Sequence, residues 1–96
     1  MSCSVSTHVL DTAAGRPAAG VVVELLRNRT TVASVETDPD GRARLADHLP
    51  AGTYRVVFHP PSPFFTRVEL QVELEDGHYH VPLLVSPFGC ASYRGS

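Results

Sequence analysis

At 96 residues the chain has room for one hydrophobic core and none for a second. Eight basic side chains, all arginine, stand against ten acids for a net charge of −2, with none of the basic stripe that marks a nucleic-acid binder. No apolar run approaches the roughly 20 residues of a membrane span, and Met1-Ser2-Cys3-Ser4-Val5 lacks the basic and apolar regions of a signal peptide. The expectation is one small cytoplasmic domain over residues 1–96.

Turn residues punctuate the chain at short intervals. The clusters are Ala14-Gly15-Arg16-Pro17, Asp38-Pro39-Asp40-Gly41, Pro50-Ala51-Gly52, Pro60-Pro61-Ser62-Pro63, Glu75-Asp76-Gly77 and Ser86-Pro87-Phe88-Gly89. Between them lie runs rich in Val, Thr, Tyr and Phe, the side chains that suit a pleated surface. Short strands at this spacing predict an all-β sandwich or barrel. The one helical candidate is a single turn around Arg42 to His48.

Three strands can be read by face. From Tyr54 to His59, Tyr54, Val56 and Phe58 share one side while Arg55, Val57 and His59 share the other. From Val68 to Leu74, Val68, Leu70, Val72 and Leu74 alternate with Glu69, Gln71 and Glu73, a strand with one wet face. From His78 to Ser86, Tyr79, Val81, Leu83 and Val85 form a core face. His78, His80, Pro82, Leu84 and Ser86 point the opposite way. An outer face carrying Pro82 and Leu84 beside two histidines marks a partner surface, predicted to be another subunit.

Cys3 and Cys90 lie near opposite ends without CxxC spacing, and read as free thiols; no disulfide, metal or other cofactor is expected. His78 and His80 share a face, yet a metal site needs a further ligand, and no spacing rule brings His8 there. The plain structural alternative makes His78 a solvated residue beside the turn and His80 a hydrogen-bonded surface histidine. No G-x-S-x-G elbow is present, and neither cysteine has neighbours that would activate a thiolate. Histidine with arginine suits another task. A neutral imidazole activates water near neutral pH, and a guanidinium grips planar anionic or carbonyl groups through its fork.

The stretch His78-Tyr79-His80-Val81-Pro82-Leu83-Leu84-Val85-Ser86-Pro87-Phe88-Gly89, with the ending Tyr93-Arg94-Gly95-Ser96, resembles the signature of the transthyretin-related 5-hydroxyisourate hydrolases. Ser6-Thr7-His8-Val9-Leu10-Asp11, followed by Gly15-Arg16-Pro17-Ala18, resembles that family's opening motif, and Asp38-Pro39-Asp40-Gly41-Arg42 its middle one. The pattern of Thr37 to Phe58, which contains this middle motif, also occurs in non-enzymatic prealbumin-like modules; the ending together with His80-Val81-Pro82-Leu83-Leu84 separates the hydrolases from the hormone carrier transthyretin. The resemblance implies an antiparallel two-sheet β-sandwich assembling as a dimer of dimers, with active sites between dimers. It implies hydrolytic opening of the six-membered ring of 5-hydroxyisourate, the first product of urate oxidation, at an amide bond. The catalytic positions it implies are His8, Arg42, His80 and Ser96; substrate contacts fall to Arg42, Tyr93, Arg94, Gly95 and Ser96. The alternative is a prealbumin-like binding or structural module without catalysis.

Three features depart from the family pattern. The segment Pro60 to Thr66 is shorter than usual, and three prolines in four residues oppose a helix there. Cys90 stands where an aromatic is usual, which predicts looser packing behind the last strand. Arg44, two residues beyond Arg42, shares its face and competes for the anchoring role.

Overall fold

The computed structural model describes residues 2–95, all β-strand and connecting turn. The strands are β1 (Cys3–Asp11), β2 (Arg16–Pro17), β3 (Val22–Arg27), β4 (Thr30–Glu36), β5 (Arg42–Leu49), β6 (Gly52–His59), β7 (Val68–Leu74), β8 (Gly77–His80), β9 (Leu83–Ser86) and β10 (Gly89–Ser92). They form two sheets. In one, β1 is the central strand, flanked on one side by β8 and then β9 and on the other by β5 and then β2, with β10 beyond β9. The other is an antiparallel sheet in the order β4-β3-β6-β7.

The core sits between the sheets and follows the alternation of each strand. Cys3, Val5, Thr7 and Val9 of β1 are buried, while Ser4, Ser6, His8 and Leu10 lie on its other face, half-buried. Val5 and Val9 meet Val23, Leu25, Tyr54, Val56, Phe58 and Leu83 in one cluster. Thr7 is the polar member of this inward row. It remains satisfied because its hydroxyl donates to the Val81 carbonyl at 2.6 Å.

The strand readings agree with these faces. Tyr54, Val56 and Phe58 point inward, and Val68, Leu70, Val72 and Leu74 form the shielded side of β7. Val57, on the outer side of β6, is nevertheless buried. It pairs across the sheet with Glu24 and Glu69. Those acids bind His59 at 2.7 Å and Arg55 and Arg67 at 3.3 and 3.0 Å, so the aliphatic stems of this charged layer cover the valine.

Two expectations need correction. The helical turn at Arg42 to His48 does not form; these residues belong to β5. Leu45 and Leu49 are both buried at a four-residue spacing that suits one face of a helix and one face of a strand alike. The register of β5 against β1 slips twice over this stretch, and His48 takes a positive φ of 55°. The predicted strand from His78 to Ser86 is two strands, β8 and β9. Pro82 has no N–H for the ladder and interrupts it, though the in-and-out alternation carries through. Pro82 itself is buried, so the half-exposed apolar part of this outer face is Leu84 with its ladder neighbour Leu10.

The turn Asp38 to Gly41 ties the two sides of the fold together. One Asp38 carboxylate oxygen accepts the N–H groups of Asp40 and Arg42, each at 2.9 Å. The Gly41 N–H donates to the Asp38 carbonyl at 2.8 Å, and the Gly41 carbonyl accepts the Val9 N–H at 2.7 Å. Gly41 has a φ of 75°, and a Cβ there would stand 2.5 Å from the Val9 carbonyl and 2.9 Å from Pro17 Cβ. Only glycine fits. Replacement of Gly41 by alanine should therefore lower unfolding stability by about 2–4 kcal/mol, combining left-handed strain with overpacking, as read from the midpoint of a urea transition.

Candidate active site

Strand pairing gathers the predicted histidines and arginine. On the outer face of the first sheet, His8 of β1 lies opposite Arg42 of β5, while Ser6 lies between Arg44 of β5 and His80 of β8. His80 and Arg42 line an open pocket of about 220 Å³ together with Ser6, Asp38 and Arg44. The pocket floor is sheet, and its rim is the Asp38 to Gly41 turn.

Each imidazole is held by a specific partner. His8 Nε2 is 2.9 Å from the Asp40 carbonyl oxygen, which only accepts, so Nε2 carries the proton. Nδ1 of the neutral ring is then its free lone pair. His80 Nδ1 lies 2.9 Å from the Ser6 hydroxyl. Its main chain bridges to Gly95, whose N–H donates to the His80 carbonyl at 2.7 Å. A Cβ on Gly95 would come within 2.6 Å of the ring at Cδ2, so glycine lets the C-terminal segment close over His80. Burial pulls the His80 pKa down, and the charges of Arg42, His8 and His78 pull it further in the same direction. A lowered pKa keeps this imidazole neutral, and so basic, at neutral pH.

The two arginines separate clearly. Arg44 is tied to Asp47 through its Nε at 2.9 Å and Nη2 at 2.5 Å, and this hydrogen bond holds the Asp47 carboxyl below its usual range. The Arg42 guanidinium forms no ion pair among the described residues. Its main chain is fixed by Asp38, and its side chain borders the pocket. Arg42 is thus the arginine available to a bound anion.

Not all predicted residues meet here. Tyr93 is exposed, and the Arg94 guanidinium lies over the Tyr79 ring at 4.3 Å. Both border a separate groove of about 560 Å³, lined also by Leu70 and Val72 at the open edge of the sandwich. Gly95 does reach His80. Ser96 lies outside the described residues. Cys3 and Cys90 are free, with burial raising the pKa of each thiol, and Cys90 is half-buried against the core. Among the described residues no three His, Cys, Asp or Glu side chains converge in a metal-binding cluster.

Residues that sequence reasoning had not singled out complete the picture. Ser6 and Asp40 each orient a histidine, and Asp38 builds the turn. His78 is exposed, as read, and also bonds Ser4 at 2.7 Å and Ser6 at 2.9 Å. The signal for Ser6 was its place two residues before His8 on an alternating strand. Its significance depends on which strand becomes the neighbour.

An antiparallel four-stranded sheet packed on a mixed sheet, with a His–Arg pocket on an outer face, defines a prealbumin-like sandwich bearing a polar site. Residues 5–95 match the HIUase/Transthyretin family model, and the chain belongs to that family. The 5-hydroxyisourate hydrolase of Deinococcus radiodurans is 42% identical over 113 aligned positions, covering 96% of this chain and 95% of that protein. The structure of the Klebsiella pneumoniae 5-hydroxyisourate hydrolase superposes with a TM-score of 0.90 at 37% identity, covering 97% and 99% of the two chains. Sea bream transthyretin in complex with thyroxine gives 0.85 at 27% identity, covering 95% and 93%. The Deinococcus alignment exceeds this chain's 96 residues, so that relative carries segments absent here. In this chain β6 and β7 are joined by turn and bend from Pro60 to Arg67, with no helix.

The electrostatics yield a direct check. In an NMR titration, the His80 ring should show a midpoint below the 6.5 of a free imidazole. Arg42→Gln removes one of the charges that depresses it, so the midpoint should rise. An unmoved midpoint would mean that Arg42 does not act on His80.

Proposed function

We propose that this chain is a 5-hydroxyisourate hydrolase of urate degradation, opening the substrate's six-membered ring at an amide bond. The observation that carries the reading is the placement of His8, Arg42 and His80 on one sheet face, within a family whose curated hydrolases match this chain over nearly its whole length.

The chemistry needs water activated, developing negative charge stabilised, and a proton delivered to the departing nitrogen. His80, held neutral, takes a proton from water as the oxygen adds to the amide carbonyl. Arg42 faces the oxygen that becomes anionic and stabilises it through its fixed donors. The tetrahedral species collapses with cleavage of the C–N bond, leaving a carboxyl group on one fragment. His8, entering the step as the imidazolium with its Nε2–H held by the Asp40 carbonyl, supplies the proton to nitrogen from Nδ1 and is left neutral, while the proton His80 took from water passes to solvent as the product leaves. Tyr93, Arg94, Gly95 and Ser96 act as substrate contacts, as the family resemblance implies; support for Gly95 comes from its contact with His80.

The pocket is shallow for a buried hydrolytic site, and Leu10 and Leu84 lie half-exposed on the same sheet face. This supports a homotetramer, a dimer of dimers, in which the single domain of one subunit helps enclose the site of another. The two unlinked thiols fit the reducing cytoplasm.

Two measurements test this reading. Enzymatically generated 5-hydroxyisourate should lose its ultraviolet absorbance faster with the protein present. His8→Ala and His80→Ala should each cost about 10²–10⁴ in rate, and Arg42→Lys about ten- to a thousand-fold, whereas Arg44→Lys, His48→Ala and His59→Ala should cost far less. A binding module of the transthyretin type would leave the decay unchanged. Sedimentation at micromolar concentration should show a tetramer, and a fully active monomer would refute shared sites.

A further inference from the structure

One hydrogen-bonded chain runs across the outer face of the first sheet. Ser4 Oγ contacts His78 Nδ1 at 2.7 Å, His78 Nε2 contacts Ser6 Oγ at 2.9 Å, and Ser6 Oγ contacts His80 Nδ1 at 2.9 Å. The parallel register creates it by setting Ser4 beside His78 and Ser6 beside His80. From this geometry we infer that Ser6 and His78 are positioning residues for the proposed hydrolysis, selecting the tautomer that His80 presents to the pocket. The inference rests on the reading of His80 as the base and adds its control.

When both rings are neutral, two orderings have the Ser6 hydroxyl donating one of its bonds and accepting the other. In the first, His80 Nδ1–H donates to Ser6, the Ser6 hydroxyl donates to His78 Nε2, and His78 Nδ1–H donates to Ser4. His80 Nε2 then holds a lone pair. In the second, every bond reverses; Ser6 donates to His80 Nδ1, and the proton of His80 sits on Nε2. Only the first leaves Nε2 able to accept a proton from water. It also accommodates the resulting imidazolium without rearrangement, since Nδ1 is already a donor.

His78 decides between them. Protonated, it donates from both nitrogens, so Ser6 cannot donate to it; the Ser6 proton is freed to donate to His80 Nδ1, and in that ordering Nε2 of a neutral His80 carries the proton. Neutral His78 permits the productive ordering. Loss of the neutral form of His78 should therefore cost activity in addition to protonation of His80 itself.

The surrounding groups belong to several elements. His80 is faced by His8 of β1, by Arg42 and the Asp47-paired Arg44 of β5, by Asp38 of the preceding turn and by His78 of its own strand. The C-terminal segment meets it with Gly95, which carries no side-chain charge. Asp47 and His48 of β5 are the charged or titratable groups beyond; both His78 and His48 bear on Asp47.

The experiment measures kcat and the acid limb of the pH–rate profile by absorbance decay, on variants shown to fold and assemble. Ser6→Ala and His78→Ala should each lower kcat by about ten- to a hundred-fold, the usual worth of a group that orients a functional imidazole, with KM little changed. His78→Gln offers Ser6 a neutral acceptor and should recover most of the loss, while its acid limb becomes shallower by one proton. Ser6→Thr retains the hydroxyl and should recover likewise. His59→Ala, on the opposite sheet, is the control and should leave rate and profile unchanged. Equal losses in His78→Ala and His78→Gln with a wild-type acid limb would overturn the inference, as would wild-type kcat in Ser6→Ala. Should His78→Ala fail to fold, Ser6→Ala and His78→Gln decide alone. Full activity in His80→Ala would instead remove the underlying assignment of the base.

Discussion

The register of β1 against its two neighbours is the constraint on which the site depends. An antiparallel pairing with β5 sets His8 opposite Arg42, and a parallel pairing with β8 sets Ser6 beside His80. A shift of one residue in either ladder would carry the site residues of the shifted strand to the core face. The buried row Cys3, Val5, Thr7 and Val9 prevents that shift, because it would expose apolar side chains and break the Thr7 hydrogen bond to Val81. Core packing and site geometry are two faces of the same strand.

The Asp38 to Gly41 turn extends this control to the arginine. Its aspartate caps two backbone N–H groups, and its carbonyls receive both the His8 ring and the Val9 N–H. A loop would ordinarily be the looser part of a site. Here Asp40 and Gly41 are bonded to the central strand and Asp38 closes the turn on Arg42, so Arg42 leaves it in a defined direction. The competing Arg44 is neutralised within its own strand by Asp47. One arginine serves the strand, and the other is left to the pocket.

Electrostatics then distinguish the imidazoles. His80 is partly desolvated and surrounded by positive groups, which favours its neutral form. His8 is oriented by a carbonyl that only accepts. These environments suit different halves of a hydrolysis, one removing a proton and the other delivering it. Ser6 and His78 stand behind His80 without entering that division directly.

The alternation of apolar residues, together with turn residues at short intervals, determined the all-β class and the inward faces of β6, β7 and β9, since period-two burial is a local property of extended chain. The motifs also singled out His8, Arg42 and His80. Local pattern misread β5, where two buried leucines four apart suit one face of a helix and one face of a strand alike, and it joined β8 to β9 across Pro82. It made His78 a solvated histidine, which it is, but could not show its bonds, because nothing within its own strand reveals that Ser4 and Ser6 lie alongside. Nor could it separate Arg42 from Arg44, which have the same face and charge. The preference appears only when Asp47 folds back on Arg44 and the turn is bonded to β1. Alternation is set by neighbours in sequence, whereas pairing between strands about 75 residues apart is set by the competition of whole faces for burial, and only the tertiary structure decides it.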